Sequence, residues 1–166
     1  GEGCGLIAPG VGVMPNNMMG EEDLLPHGLD RWRPDTRLAS MMAPSVAEWP
    51  DGAVAALGSG GSNRIRSAMA GVIARLADRG EALDLAIGAP RLHVDDGPEP
   101  GAPEAVEFED RFPARERDAL LAAFPQARGW ARDSLFFGGV HAVRRAPSGA
   151  VEAAADPRRD GAALTG

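Results

Sequence analysis

A chain of 166 residues is the size of one domain and long enough to bury a core. Its net charge of −7, with 17 basic residues that are all Arg, argues against a general nucleic-acid-binding surface. A single cysteine rules out an internal disulfide, and no apolar run approaches the length of a membrane span. The chain starts at Gly1 and reads as one partial domain, residues 1–166, of a longer protein.

In chain order, Leu6 to Met14 alternates apolar residues with Gly, Ala and Pro and predicts a strand that Pro15-Asn16-Asn17 stops. Gly20-Glu21-Glu22-Asp23 is an acidic turn, and Pro26 to Pro34 is loop-like. Ser45 to Trp49 and Ala53 to Leu57 flank Pro50-Asp51-Gly52, a strong turn signal, so a hairpin is expected. Then comes Gly58-Ser59-Gly60-Gly61-Ser62-Asn63-Arg64-Ile65, followed by apolar positions Ile65, Met69, Val72, Ile73 and Leu76 at helical spacing. Ser62 or Asn63 suits the N-cap and Gly80 the stop. A second helix spans Glu81 to Ile87, and Arg91 to Val94 suits a strand. Asp95 to Pro103 reads as an exposed connection, and Val106 to Glu109 as an edge strand. Arg115 to Phe124 reads as a helix, with Arg111 to Asp118 its solvated face. Ser134 to Arg144 and Ala150 to Ala155 form a second hairpin, and the tail from Asp156 is polar and irregular. Hairpins with helices between them predict an α+β fold with antiparallel sheet.

The Gly58–Ile65 segment carries the chemistry. A strand that turns into a helix through small residues leaves backbone N–H groups at the helix start, and the helix dipole adds positive charge there. Such a loop holds negative charge, whether a standing phosphate or an oxyanion formed during reaction. Gly58-x-Gly60 with Asn63 in place of a final glycine fits a dinucleotide fingerprint poorly, and no Lys completes a phosphate loop. A plain tight turn is the alternative.

Five motifs in order resemble the small, C-terminal subunit of the gamma-glutamyltranspeptidase (glutathione hydrolase) family. The Leu-Asn-Asn motif with its acidic residues is matched by Pro15 to Asp23, and Ser-Ser-Met-Ser-Pro by Ser40-Met41-Met42-Ala43-Pro44. The Gly-Ser-Pro-Gly-Gly-Ser-Arg-Ile loop is matched by Gly58 to Ile65. Ala-Pro-Arg-Phe-His stands here as Ala89-Pro90-Arg91-Leu92-His93, and Ser-Asp-Pro-Arg as Ala155-Asp156-Pro157-Arg158. The resemblance implies the αββα sandwich of N-terminal-nucleophile hydrolases. It also implies a self-cleaving zymogen and a freed threonine that takes up a γ-glutamyl group, from glutathione or a related compound, as an acyl-enzyme released to water or to an acceptor amine. The N-terminal large subunit of the same precursor is the implied protein partner. The threonine is expected upstream of Asn16, before Gly1; Thr36 and Thr165 are not placed for the role, so the piece is expected to be inactive by itself. No cofactor, metal or nucleic acid is implied, and residence is left open, since relatives are often exported.

Carried over residue by residue, Gly61 and Ser62 match the oxyanion-hole pair. Ser62 stands where the family often has Gly, and the donor is expected to survive if φ is negative there. Ser40 matches a serine that binds the glutamyl α-carboxylate, and Met41 replaces the second. Glu21 is the choice for the carboxylate facing the α-ammonium, where the family has Asp-Asp, with Glu22 or Asp23 as substitutes; Met18 replaces an acid or amide. Asn16, Asn17 and His93 read as scaffold. Arg64 fits either a carboxylate partner or a structural ion pair, and His27 and His141 lack partners at metal-ligand spacing. Against this reading stand an acylase of another amide, which would not need the ammonium-binding acid; a catalytically dead homologue; and a phosphate-binding loop.

Overall fold

A computed structural model describes residues 3–21, 24–25, 27–95, 105–131 and 133–164, with only the backbone at 29. The chain forms two compact units, residues 1–41 and 42–166.

In the first unit the expected strand from Leu6 to Met14 is replaced by a tight loop. Ala8 N–H donates to Val13 O at 3.0 Å, and Gly12 N–H reaches back to Ala8 O at 3.3 Å, so Pro9-Gly10 turns the chain. Leu6, Ile7, Val11 and Val13 are all exposed. Single 3-10 turns follow at Met18–Gly20 and Leu29–Arg31.

Among its described residues the second unit has seven strands: β1 (Ser45–Glu48), β2 (Val54–Gly60), β3 (Leu92–Asp95), β4 (Ala105–Glu109), β5 (Arg128–Trp130), β6 (Gly139–Arg145) and β7 (Val151–Ala154). Its helices are α1 (Arg64–Asp78), α2 (Leu83–Gly88) and α3 (Ala114–Ala123). The larger sheet runs β1-β2-β6-β7, antiparallel throughout; the smaller runs β3-β4-β5. The β1–β2 hairpin forms as read, with Asp51 Oδ1 accepting from Ala53 N–H at 2.9 Å. β4 lies in the middle of its sheet rather than at the edge, because the unanticipated β5 pairs with it in parallel. The 96–104 part of the exposed connection lies outside the described residues.

The core sits on one face of the larger sheet. α1 turns Ile65, Ala68, Met69, Val72 and Leu76 inward, and α2 turns Leu83, Ala86 and Ile87 inward. They meet Ala55, Leu57, Val140 and Ala142, the alternate residues of β2 and β6. Burying each large aliphatic is worth ~1.5–3 kcal/mol. α1 ends as expected at Gly80, which takes φ +61°, and α2 ends where Pro90 holds Ala89 extended at ψ 151°. α3 buries none of its residues.

Candidate active site

The Gly-rich stretch divides differently from expectation. Gly58, Ser59 and Gly60 continue β2, with Gly58 opposite His141 and Gly60 opposite Gly139, so the turn is confined to Gly61, Ser62 and Asn63. Gly61 O accepts from Arg64 N–H at 3.1 Å and Ser62 O accepts from Ile65 N–H at 3.0 Å, so both carbonyls face the helix start. A trans peptide points its N–H opposite its C=O. Ser62 N–H is therefore directed away from the first turn of α1. Asn63 occupies the N-cap without a capping side-chain bond.

Two glycines are forced here by close approach. A Cβ on Gly61 (φ +135°) would lie 2.7 Å from Gly138 Cα, and one on Gly138 (φ +73°) would lie 2.8 Å from Gly60 O. The loop is thus pressed backbone to backbone against the segment leading into β6. Ser59 Oγ ties the two, donating to Gly60 O at 2.9 Å and accepting from Gly139 N–H at 3.3 Å. Ser62 does not have the negative φ expected of it: it sits at φ +53°. Its N–H persists, but a residue with a Cβ in the left-handed region costs ~1–2 kcal/mol, and the family's glycine would not incur that cost. Arg64 packs on Phe136, with Nε donating to Phe136 O at 3.2 Å and the guanidinium 4.8 Å from the ring centroid.

Behind the loop, two of the sequence motifs meet in a buried charge cluster. Arg158 Nε and Nη2 donate to the two Glu109 oxygens, both at 2.6 Å. Arg91 pairs with Asp156 Oδ2, and its own N–H donates to Glu109 Oε2 at 3.0 Å. The cluster also holds backbone: Arg91 donates to Phe137 O at 3.1 Å, Arg158 to Ile87 O at 3.2 Å and Ala89 O at 2.8 Å, and Asp156 Oδ2 accepts from Val140 N–H at 2.8 Å. Arg91 and Asp156 therefore fix both sides of Gly138-Gly139, the segment against which the loop rests. Glu109 and Asp156 are fully buried, so the tail read as irregular is a clamp. Arg111, read as a solvated helix face, instead pairs with Glu109 Oε2 at 3.1 Å and Asp133 at 2.7 Å ahead of α3.

Burial pushes the Glu109 and Asp156 carboxyls up, but the guanidinium bonds outweigh it, and both end below the usual carboxylate range. Burial also draws Arg91 down, with the Arg158 charge adding to it, while Glu109 leaves Arg158 raised. A guanidinium stays charged at any accessible pH, so the carboxylates set the pH dependence of the pair. His93, buried and accepting or donating at Nδ1 with Ser67 Oγ (2.7 Å), is lowered from its ordinary 6.5 by burial. A depressed carboxyl stabilises fully above its unfolded value and loses that contribution as pH falls through its folded value. The depressed His93 lets the unfolded chain take a proton first, so stability also falls below about pH 6.5. The melting temperature of the parent protein should therefore drop steadily from pH 7 towards pH 4; a flat profile would contradict these directions.

The remaining expected residues lie in the first unit. Glu21 is half-buried at the end of the Met18–Gly20 turn, its N–H donating to Met18 O at 3.1 Å, and its own O accepts from Leu24 N–H at 3.1 Å. Asn16 Oδ1 accepts from Met18 N–H at 3.0 Å, and Asn17 packs over Gly20, both as scaffold. Ser40 is exposed and Met41 half-buried in a segment without regular secondary structure. Glu22 and Asp23 lie outside the described residues. No group of three His, Cys, Asp or Glu placed to hold a metal occurs among the described residues, and no described helix is long and apolar enough to cross a membrane. Gly138 and the clamp were not singled out from sequence. The signal was present in two charged motifs, Pro90-Arg91 and Asp156-Pro157-Arg158, each with an Arg beside a Pro.

Residues 2–166 match the pattern described as "Gamma-glutamyltranspeptidase". The glutathione hydrolase proenzyme of Bacillus subtilis (strain 168) is 26% identical over 163 residues, which is 98% of this chain and 26% of that protein. The acylase ACY 1 proenzyme of Pseudomonas sp. (strain SE83) is 31% identical over 154 residues, 92% of this chain and 26% of that protein. The chain thus spans about a quarter of the length of these relatives. Among solved structures, gamma-glutamyltranspeptidase from Pseudomonas nitroreducens complexed with L-DON superposes with TM-score 0.71 at 23% identity, covering 98% of this chain and 86% of that one. The transpeptidase CapD of Bacillus anthracis does so with TM-score 0.68 at 21% identity, covering 99% and 86%. These likenesses establish the shared fold, an α+β arrangement of the N-terminal-nucleophile hydrolase type. From the pattern match across nearly its whole length, the chain belongs to the gamma-glutamyltranspeptidase family.

Proposed function

We propose that these residues are the small-subunit part of an enzyme that transfers a γ-glutamyl group to water or to an acceptor amine. The observation that carries the reading is the Gly61–Ser62 turn, which opens α1 and is pinned against Gly138. It is suited to receive the negative charge of a tetrahedral intermediate. In the proposed reaction a threonine hydroxyl, supplied upstream in the parent protein, attacks the γ-amide carbonyl. The carbonyl oxygen takes up the electron pair facing the Gly61 and Ser62 N–H groups. The C–N bond then breaks, the amine leaves with a proton, and the resulting ester is opened by water or by an acceptor amine. Glutathione or another γ-glutamyl compound is the proposed donor, and the large-subunit part of the precursor the proposed partner. Glu21 is assigned to the substrate's α-ammonium, and Ser40 with the Met41 backbone to its α-carboxylate.

The test is release of p-nitroaniline from γ-glutamyl-p-nitroanilide by the full-length protein and its Glu21→Ala variant. Loss of a charge-assisted hydrogen bond predicts a KM raised roughly 10- to 100-fold with a smaller change in kcat. An unchanged KM removes Glu21 from the site. The similarity to the acylase proenzymes, together with Met41 in place of a hydroxyl, supports a second reading as an acylase of another amide. That reading predicts no preference for donors carrying a free α-ammonium.

A further inference from the structure

Arg158 and Arg159 are adjacent but project to opposite sides. Arg158 points towards α2, where it donates to Ile87 O and Ala89 O. Arg159 lies against Gly60 and Gly139, a register pair of β2 and β6. In β2 the alternate residues Ala55, Leu57 and Ser59 are buried on the helix side, so Gly60 presents its missing side chain to the helix-free face. A Cβ on Gly139 would lie 2.5 Å from Arg159 Cδ, and one on Gly60 would lie 3.2 Å from Arg159 Cζ. The two glycines form a trough that the Arg159 side chain fills. Followed outward, the guanidinium reaches the loop itself, with Nη2 3.9 Å from the position a Gly61 Cβ would take.

The charge on this side chain is uncommitted. Arg159 Nε is buried without a hydrogen-bond partner, and among the described residues no carboxylate pairs with Arg159. By contrast, Arg158, one residue away, is bound by two carboxylates. The Asp156 oxygens are taken by Arg91, Arg158 and the Val140 N–H. The turn that carries Arg159 is itself fixed, since Asp156 Oδ1 accepts from Arg158 N–H at 2.9 Å and Asp156 O accepts from Arg159 N–H at 3.2 Å. A rigidly mounted, unpaired cation beside a turn expected to meet transient negative charge is an arrangement suited to preorganised electrostatic stabilisation.

We infer that Arg159 is a positioning residue for the reaction: it props the Gly60–Gly61 backbone from the helix-free face and adds a fixed positive charge behind the oxyanion donors. This rests on the γ-glutamyl-transfer reading. Its effect belongs to the transition state, so it acts on kcat and not on ground-state binding.

The test uses the full-length protein with γ-glutamyl-p-nitroanilide, comparing wild type, Arg159→Met and Arg159→Lys, with melting temperatures alongside. The expected result is a roughly tenfold fall in kcat for Arg159→Met at a KM within about twofold, and recovery of most of that loss in Arg159→Lys. If Arg159→Met does not mature, Arg159→Gln carries the same comparison. Unchanged kcat would overturn the inference. So would equal losses in the Met and Lys variants accompanied by a lower melting temperature, which would mark a packing role. A raised KM at constant kcat would make Arg159 a carboxylate anchor instead. A wild-type protein with no activity sinks the transfer reading and this inference with it, whereas an active wild type with unaffected variants sinks this inference alone.

Discussion

If the full-length protein transfers γ-glutamyl groups as proposed, Gly61→Ala is expected to lower its turnover by ~100-fold or more, the scale of losing one oxyanion donor. The added methyl would fall 2.7 Å from Gly138 Cα, a contact with backbone that no side-chain rotation relieves, at a φ of +135° that alanine avoids. The turn must move, and its N–H groups move with it. Ser62→Gly makes the opposite case. It keeps the N–H and removes the Cβ from the left-handed region, so stability should rise by ~1 kcal/mol with turnover held within a few-fold. Steady-state kinetics on both variants decide the matter: full activity in Gly61→Ala would remove this turn from the chemistry.

The second large effect is expected at Asp156. Asp156→Ala strips Arg91 of its carboxylate partner and leaves the Val140 N–H without its acceptor, both in a fully buried setting. Removing one partner of a buried ion pair costs ~3–5 kcal/mol, because the stranded charge remains. In a domain of this size that is ~10 °C or more of melting temperature. Since Asp156 and Arg91 also set the backbone on both sides of Gly138-Gly139, activity at temperatures well below melting should fall too. A drop of under 2 °C in a thermal scan would show that the cluster does not carry the stability assigned to it.

The strand and helix around Gly58 were legible because a continuous apolar run ends at a glycine cluster and apolar residues then recur at helical spacing; the bounds of the turn were not, because Gly58 to Gly60 pair with β6. The end of α1 at Gly80 was legible for a similarly local reason. What escaped was long-range. β5 is only Arg128–Trp130, too short for any pattern, and it forms because β4 offers an edge. The loop from Leu6 to Met14 has the alternation of a strand, but Pro9-Gly10 turns it back on itself. The tail from Asp156 reads as polar and exposed, yet Asp156 and Arg158 are buried, because residues 65 and 49 positions away complete their charge. Ser62→Pro would not isolate the donor at position 62: with φ at +53°, which proline cannot adopt, it would rebuild the turn and not delete one hydrogen.

The most direct measurement is on the parent reading frame. It would be expressed whole, examined for self-cleavage, and the new N-terminus of its smaller product sequenced. Two chains are expected, with a threonine at the new N-terminus upstream of Asn16 and γ-glutamyl release that requires the cut. An intact chain, or a cut that exposes no threonine, would contradict it and leave the Gly61 turn as architecture without chemistry.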